Sequence, residues 1–172
     1  FVVAGRTAVD VLFVVDNSGS MQDDQEILAN NFDAFIEAAA LDPNLDIHLG
    51  VTTTDVLGGT GGPLVGPFLR DTSGGLAAAF GEQARVGVNG SGLELGLEAT
   101  RRALDDFAHT TNAGFLRPEA ALSVIIVSDE EDSGDMVEVA AIDASAARPP
   151  QSYVEFLRGL KAGSLTNAQV LF

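Results

Sequence analysis

Asp16, Ser18 and Ser20 alternate along the segment Asp16-Asn17-Ser18-Gly19-Ser20-Met21, and an alternating turn can aim several side chains at one point. A second polar run, Ser128-Asp129-Glu130-Glu131-Asp132, and the hydroxyl of Ser91 in Val88-Asn89-Gly90-Ser91-Gly92 offer further oxygens. None of the three segments holds a histidine or a cysteine. Such a set suits a hard divalent cation, Mg²⁺, Mn²⁺ or Ca²⁺, better than zinc or copper. Mg²⁺ takes about six oxygen ligands. Two hydroxyls with one or two carboxylates therefore leave a position for water or for an acidic group from outside.

The elements that must position these residues are legible around them. Val9 to Val15 is a nearly continuous apolar run broken only by Asp10, the pattern of a strand buried on both faces of a parallel sheet. Asp23, Asp24 and Glu26 follow where a helix N-terminus favours negative charge, and Ser20 with Asp23 resembles a capping box. Leu28, Phe32, Phe35, Ile36 and Ala39 then recur at helical spacing to about Ala40, before Asp42-Pro43-Asn44 breaks the helix. Ile47, Leu49, Val51 and Thr53 alternate as a second strand ending near Thr54-Asp55. Residues 56–75 are dense in Gly and Pro; within them Leu64 to Leu69 is either an edge strand or irregular loop.

Leu76 to Ala84 reads as a short helix, and Leu93, Leu97, Thr100, Arg101 and Leu104 as a longer one reaching about His109. Leu122 to Val127 is a second buried strand that runs straight into Ser128-Asp129. Residues 136–148 stay open between helix and loop, Tyr153, Phe156, Leu157 and Leu160 make a last helix, and Ala168 to Phe172 begins or forms a strand. Alternating strands and helices predict an α/β fold, a doubly wound and mostly parallel sheet with helices on both faces, as one domain over residues 1–172. Ligands of such sheets bind beyond the carboxyl ends of the strands, where strand order reverses. Both polar runs meet there if their strands are neighbours, with the Ser91 turn on the same rim.

Composition narrows the chemistry. The 172 residues hold 25 acids against 9 bases, a formal net charge of −16, which argues against nucleic acid and anionic lipid surfaces as partners. Apolar residues make up 46% of the chain, yet no apolar run is long enough to span a bilayer. There is no cysteine, and His48 and His109 lie far apart, so thiolate chemistry is excluded and a histidine-based zinc or catalytic site is not expected. Phe1 to Arg6 is too short and too weakly basic for a signal peptide, and the missing initiator Met points to a processed or excised piece of a longer chain.

Asp16-Asn17-Ser18-Gly19-Ser20 after an apolar strand resembles the Asp-x-Ser-x-Ser signature of von Willebrand factor A domains, the first part of their metal-ion-dependent adhesion site. The resemblance implies direct metal contacts by Ser18 and Ser20, with Asp16 in contact directly or through water. A later strand ending in Asp matches Val124 to Asp129, giving Asp129 the second carboxylate role, although Glu130 stands where the family commonly has Gly. The family's third piece is a Thr in a loop before a helix; Ser91 holds that place here and keeps the hydroxyl. Asn17, Thr54, Asp55 and Glu130 are candidates to support these ligands, against the plainer reading of Thr52 to Asp55 as ordinary strand and turn residues. In the family the open coordination position often receives an acidic side chain, so the expected partner is a protein presenting Asp or Glu.

The likeness runs from Val9 to Phe172, and a complete copy would continue with one more helix and strand. Asp-Asn-Ser-Gly-Ser-Met together with Ser-Asp-Glu-Glu-Asp-Ser and the helix Tyr153-Val154-x-Phe156-Leu157-x-x-Leu160-Lys161 is similar to bacterial cell-envelope members, which implies an extracytoplasmic, envelope or secreted setting.

Rival motifs are weaker. The run from Asp129 has the alternating acids and the Gly134 of an EF-hand loop, but Ala140 stands where its bidentate Glu belongs. Val86 to Gly92 hints at a dinucleotide fingerprint with its third glycine displaced to Gly96. Asp16 as a phosphoryl acceptor lacks the second close acid and a lysine, since Lys161 is the only one. Binding rather than turnover is expected, the alternative being a structural subunit of an envelope or appendage assembly whose metal only stabilises the fold.

Overall fold

The apolar run after residue 7 forms the central strand, and its neighbours fix the level of everything at the sheet edge. The computed structural model describes residues 7–40, 44–70, 75–160 and 169–171. Phe1 to Arg6, the break at Asp42-Pro43, Lys161, and the ends of the last predicted strand at Ala168 and Phe172 lie outside the described residues, as do the side chains of Ile36 and Ala39. Strand β1 (Thr7–Val15) leads through a 3₁₀ turn, Gly19–Met21, into α1 (Gln22–Ala40). Next come β2 (Leu45–Thr53), the two-residue β3 (Leu69–Arg70), α2 (Leu76–Ala84) and α3 (Gly96–Leu104). The chain then forms β4 (Ala121–Val127), α4 (Val137–Ile142), α5 (Pro150–Leu160) and β5 (Gln169–Leu171).

The sheet order is β3-β2-β1-β4-β5, parallel throughout except for β3, which pairs antiparallel with β2. This is the doubly wound α/β fold expected, and its strand order reverses at β1, between β2 and β4. Register makes the reversal useful. Val15 is level with Thr53 on one side and Val127 on the other, so Asp16, Thr54 and Ser128 emerge together at one edge.

Successive side chains of a strand point to opposite faces, and β1 feeds two cores. Val11, Phe13 and Val15 pack with Phe32 of α1, Phe80 of α2 and Ile47, Leu49 and Val51 of β2. Leu12 and Val14 pack on the other face with Leu95, Ala99, Ala103, Leu104, Val124 and Leu157. Asp10 and Asp16 share the parity of Leu12 and Val14, and both are wholly buried. No helix among the described residues is long and apolar enough to cross a membrane.

Two local expectations need correction, and the open reading of residues 64–69 resolves mostly to loop. The helix expected from Leu93 to about His109 is only Gly96–Leu104; the next residues coil through tight turns, with Phe107 N–H donating to Arg102 C=O and Asn112 N–H to Phe107 C=O. Of the residues at the expected spacing, Thr100 and Leu104 are buried with Ala99 and Ala103, while Leu93 and Leu97 are half-buried. Of the segment 64–69, only Leu69 enters a strand, because turns fastened by Thr52 and Asn112 occupy the rest. The capping box is absent: the hydroxyl of Ser20 bonds instead to Asp129.

Candidate metal centre

The turn after β1 is built by Asp16. Its backbone N–H still donates to Val127 C=O at 2.9 Å, extending the ladder by one step, and its buried carboxylate then organises the residues up to Ser20. Oδ1 accepts the backbone N–H of Ser18 at 2.7 Å, and Oδ2 accepts the hydroxyl of Ser128 at 2.6 Å. The hydroxyls of Ser18 and Ser20 stand 3.1 Å apart, and that of Ser20 donates to Asp129 Oδ1 at 3.2 Å. The structure thus brings four of the five expected ligands into one continuous chain of hydrogen bonds. Asp16 and Ser18 form its buried side, Ser20 and Asp129 its solvent side.

Ser91 is not part of that chain. Its half-buried hydroxyl accepts the N–H of Leu93 at 3.0 Å, and no hydrogen bond joins it to Asp16, Ser18, Ser20 or Asp129. Its loop is nevertheless tied to the first turn, because Gly90 N–H donates to Asn17 C=O at 2.7 Å. A Cβ at Gly90 would lie 2.3 Å from Asn17 Oδ1, so only glycine lets the two loops approach this closely. Asn17 is buried behind the turn with that oxygen unpartnered. Thr54, fully buried, donates its hydroxyl to the carboxylate of Glu94. Asp55 serves its own turn, accepting Gly58 N–H at 2.7 Å. Glu130 is exposed, and its N–H donates to Ser128 Oγ. The acidic run is less solvated than its composition suggests: Asp132 is half-buried and holds the N–H groups of Leu97 and Gly134, both at 2.9 Å, which caps α3.

Three residues of this edge were not among the expected ligands or their supports. Ser128 is the hydroxyl that holds Asp16. Gln25, buried on α1, donates through one amide nitrogen to Asp16 C=O and Gly87 C=O, each at 2.8 Å. Glu94 is 1% exposed; one carboxylate oxygen takes the Thr54 hydroxyl and the other has no hydrogen-bond partner. Burial first, and then the charges of Asp16 and Glu130, push Glu94 up to about 7 against the opposing Thr54 hydrogen bond. The available signal was an acid set between the apolar residues Leu93 and Leu95 just before α3. Thr54, Glu94, Ile126, Ser128, Glu130 and Asp132 line most of an open pocket of about 340 Å³.

The electrostatics of the edge set it apart. Asp10 accepts Arg117 N–H at 2.7 Å and Arg117 Nε–H at 2.8 Å, with His48 Nδ1 at 3.7 Å. Glu98 is paired with Arg101 at 2.8 Å and Arg148 at 3.3 Å and accepts the Tyr153 hydroxyl at 3.0 Å. None of the ion pairs among the described residues reaches Asp16, Glu94, Asp129, Glu130 or Asp132. Among the described residues no three His, Cys, Asp or Glu side chains converge tightly enough to hold a metal by themselves. A cation here would therefore rest on the serine hydroxyls as well. The donor set of carboxylates and hydroxyls, with an orphaned buried oxygen on Glu94, fits a hard divalent ion.

No protein-family model matches the chain, and no curated protein matches it by sequence. Among solved structures it is similar to the pilus adhesin SpaC of Lactobacillus rhamnosus GG in an open conformation, at 20% identity and a TM-score of 0.43 over 73% of this chain and 15% of that one. It is also similar to proximal thread matrix protein 1 of the mussel byssus, described with a zinc-occupied MIDAS motif, at 15% identity and a TM-score of 0.49 over 96% and 38%. A third is a von Willebrand factor type A protein from Catenulispora acidiphila, at 18% and 0.45 over 98% and 39%. The chain spans well under half the length of each. Likeness at this level says nothing about ligands, and the chain's own residues carry the functional reading.

Proposed function

We propose that the chain is a von Willebrand factor A-like domain that binds one divalent cation at the carboxyl edge of its sheet and uses it to hold a protein partner. One observation carries this reading: Asp16 is fully buried, accepts neutral donors, and sits beside the paired hydroxyls of Ser18 and Ser20, and among the described residues no ion pair reaches it. Leaving a carboxylate buried without a counter-charge costs several kcal/mol, and elsewhere on the same strand the protein supplies an arginine. Ser18, Ser20 and Asp129 would hold the ion, with Asp16 in contact directly or through water and one further contact from the segment before α3, the place that the motif resemblance gives to Ser91. Mg²⁺, Mn²⁺ and Ca²⁺ all suit these donors.

When bound, the ion supplies an electrophilic centre that a carboxylate from outside can complete. Ser20 and Asp129 lie on the solvent side, where a partner's Asp or Glu can arrive. A local positive centre would let a chain of net charge −16 attract an acidic group despite overall repulsion. The extracytoplasmic setting implied by the motif resemblance is where such a partner would be met. Calorimetric titration of the three ions into chelator-stripped protein should give one saturable site, lost in a Ser18→Ala/Ser20→Ala double variant. Heat unchanged by the double substitution would sink the metal reading, and a partner complex insensitive to chelation would reduce the metal to a structural role.

A further inference from the structure

We infer that Glu94, from the turn leading into α3, is the cation's third protein contact, in the place that the motif resemblance gives to Ser91. The inference rests on the metal reading of this edge and specifies its ligands. Glu94 is 1% exposed and lines the pocket beside Ser128, and Thr54 orders one of its oxygens while the other is buried without a hydrogen-bond partner. That side chain cannot swing away easily, because the backbone around it is pinned from two directions. Ser133 N–H donates to Glu94 C=O at 2.7 Å, and Leu95 N–H donates to Thr54 C=O at 3.3 Å. Thr54, which holds Glu94, leaves the sheet edge level with Asp16, and two carboxylates brought to one level at this edge repel unless a cation or a proton lies between them.

Ser91, by contrast, already uses its hydroxyl as an acceptor for Leu93 N–H. Glu98, one helical turn later, shows what an acid buried on this helix otherwise requires: Arg101, Arg148 and the Tyr153 hydroxyl all reach it. A glutamate in place of a hydroxyl adds a negative charge to the coordination sphere and offers one or two oxygens. The number of charged ligands tunes affinity, and the flexible Ca²⁺ shell accepts either mode.

The decisive comparison is Ca²⁺ and Mn²⁺ affinity, by calorimetry, of the parent with Glu94→Gln, Ser91→Ala and Glu131→Gln. In Glu94→Gln the new amide keeps the volume and an acceptor for Thr54 and can donate to Asp16, so without metal this variant should melt at or above the parent's temperature. Its dissociation constants should rise about 10-fold to 100-fold, the range seen when groups that tune a metal site are removed. Ser91→Ala and the exposed Glu131→Gln should stay within about threefold, the scale of a solvent-screened charge. An unchanged affinity in Glu94→Gln would overturn the inference and mark the Glu94–Asp16 contact as a shared proton. A loss in Ser91→Ala alone would return the third contact to Ser91. Equal losses in Glu94→Gln and Glu131→Gln would reduce Glu94 to a contributor of bulk field and also overturn it. A parent that binds neither ion removes the metal reading itself, a result distinct from the other three.

Discussion

Asp10 and Asp16 lie on the same strand, at the same parity, on either side of Leu12 and Val14, and neither is exposed at all. Their surroundings are opposite. Asp10 is gripped by the side chain and backbone of Arg117, with His48 beyond. Asp16 is held by a serine hydroxyl and a backbone N–H, and the side chain held by its level neighbour Thr54 is another acid, Glu94, rather than a base. The same contrast recurs one turn apart at the start of α3, where Glu98 is paired and Glu94 is not. Burial alone therefore does not distinguish a structural acid from a functional one in this domain. The distinguishing feature is whether the protein supplies the counter-charge, and at the amino end of the sheet it does.

That contrast can be broken most forcefully at its paired end. Arg117→Ala removes the guanidinium from Asp10 and leaves it the residue 117 N–H and the more distant His48, and chemical denaturation should show a loss of about 3–5 kcal/mol, as expected when one partner of a buried pair is removed. The unpaired end should respond with the opposite sign. In chelated protein Asp16→Asn should leave stability unchanged or raise it by about 1 kcal/mol, since replacing an uncompensated buried charge is often stabilising; a loss as large as that of Arg117→Ala would erase the distinction between the two acids. The solvent-facing pair of Arg101 with Asp106 gives the smallest effect. The Arg101 hydrogen bonds hold the Asp106 carboxyl below its usual range, so its contribution is present above the unfolded value of 3.8 and fades as pH falls through the lower folded one. With solvent screening, Asp106→Asn should cost a few tenths of a kcal/mol, up to about 1, at neutral pH and nothing in strong acid.

Much of this architecture could be read from the chain because its strands are buried on both faces and so appear as unbroken apolar runs. β1, β2, β4 and α2 fall where the pattern places them. The alternation of Asp16, Ser18 and Ser20, and an Asp at the end of a second such run, marked the two halves of the site because both come directly after strand ends. Glu94 stayed hidden for a physical reason. The leucine spacing starts the helix at Leu93, whereas α3 begins only at Gly96, so the acid lies in the turn before it, where no apolar period marks burial. Ser128 and Thr54 looked like ordinary residues at strand ends, and only the level register of three strands makes them neighbours of Asp16 and Glu94. Gln25 had no signature at all, because its partners are carbonyl oxygens contributed by distant loops.

Gln25 also limits how the site could be transplanted. One amide group fastens the peptide of Asp16, the first turns of α1 and residue 87 to one another. Grafting Asp16 to Ser20 onto another sheet would carry over the visible motif and leave behind the rivet that sets its height above the neighbouring loop. A working copy would need the fragment from β1 through Gln25, a glycine where Gly90 touches Asn17, and a Thr–Glu pair like Thr54 and Glu94 on the adjacent rim. The portable unit is the whole corner of the fold, not the pentapeptide that advertises it.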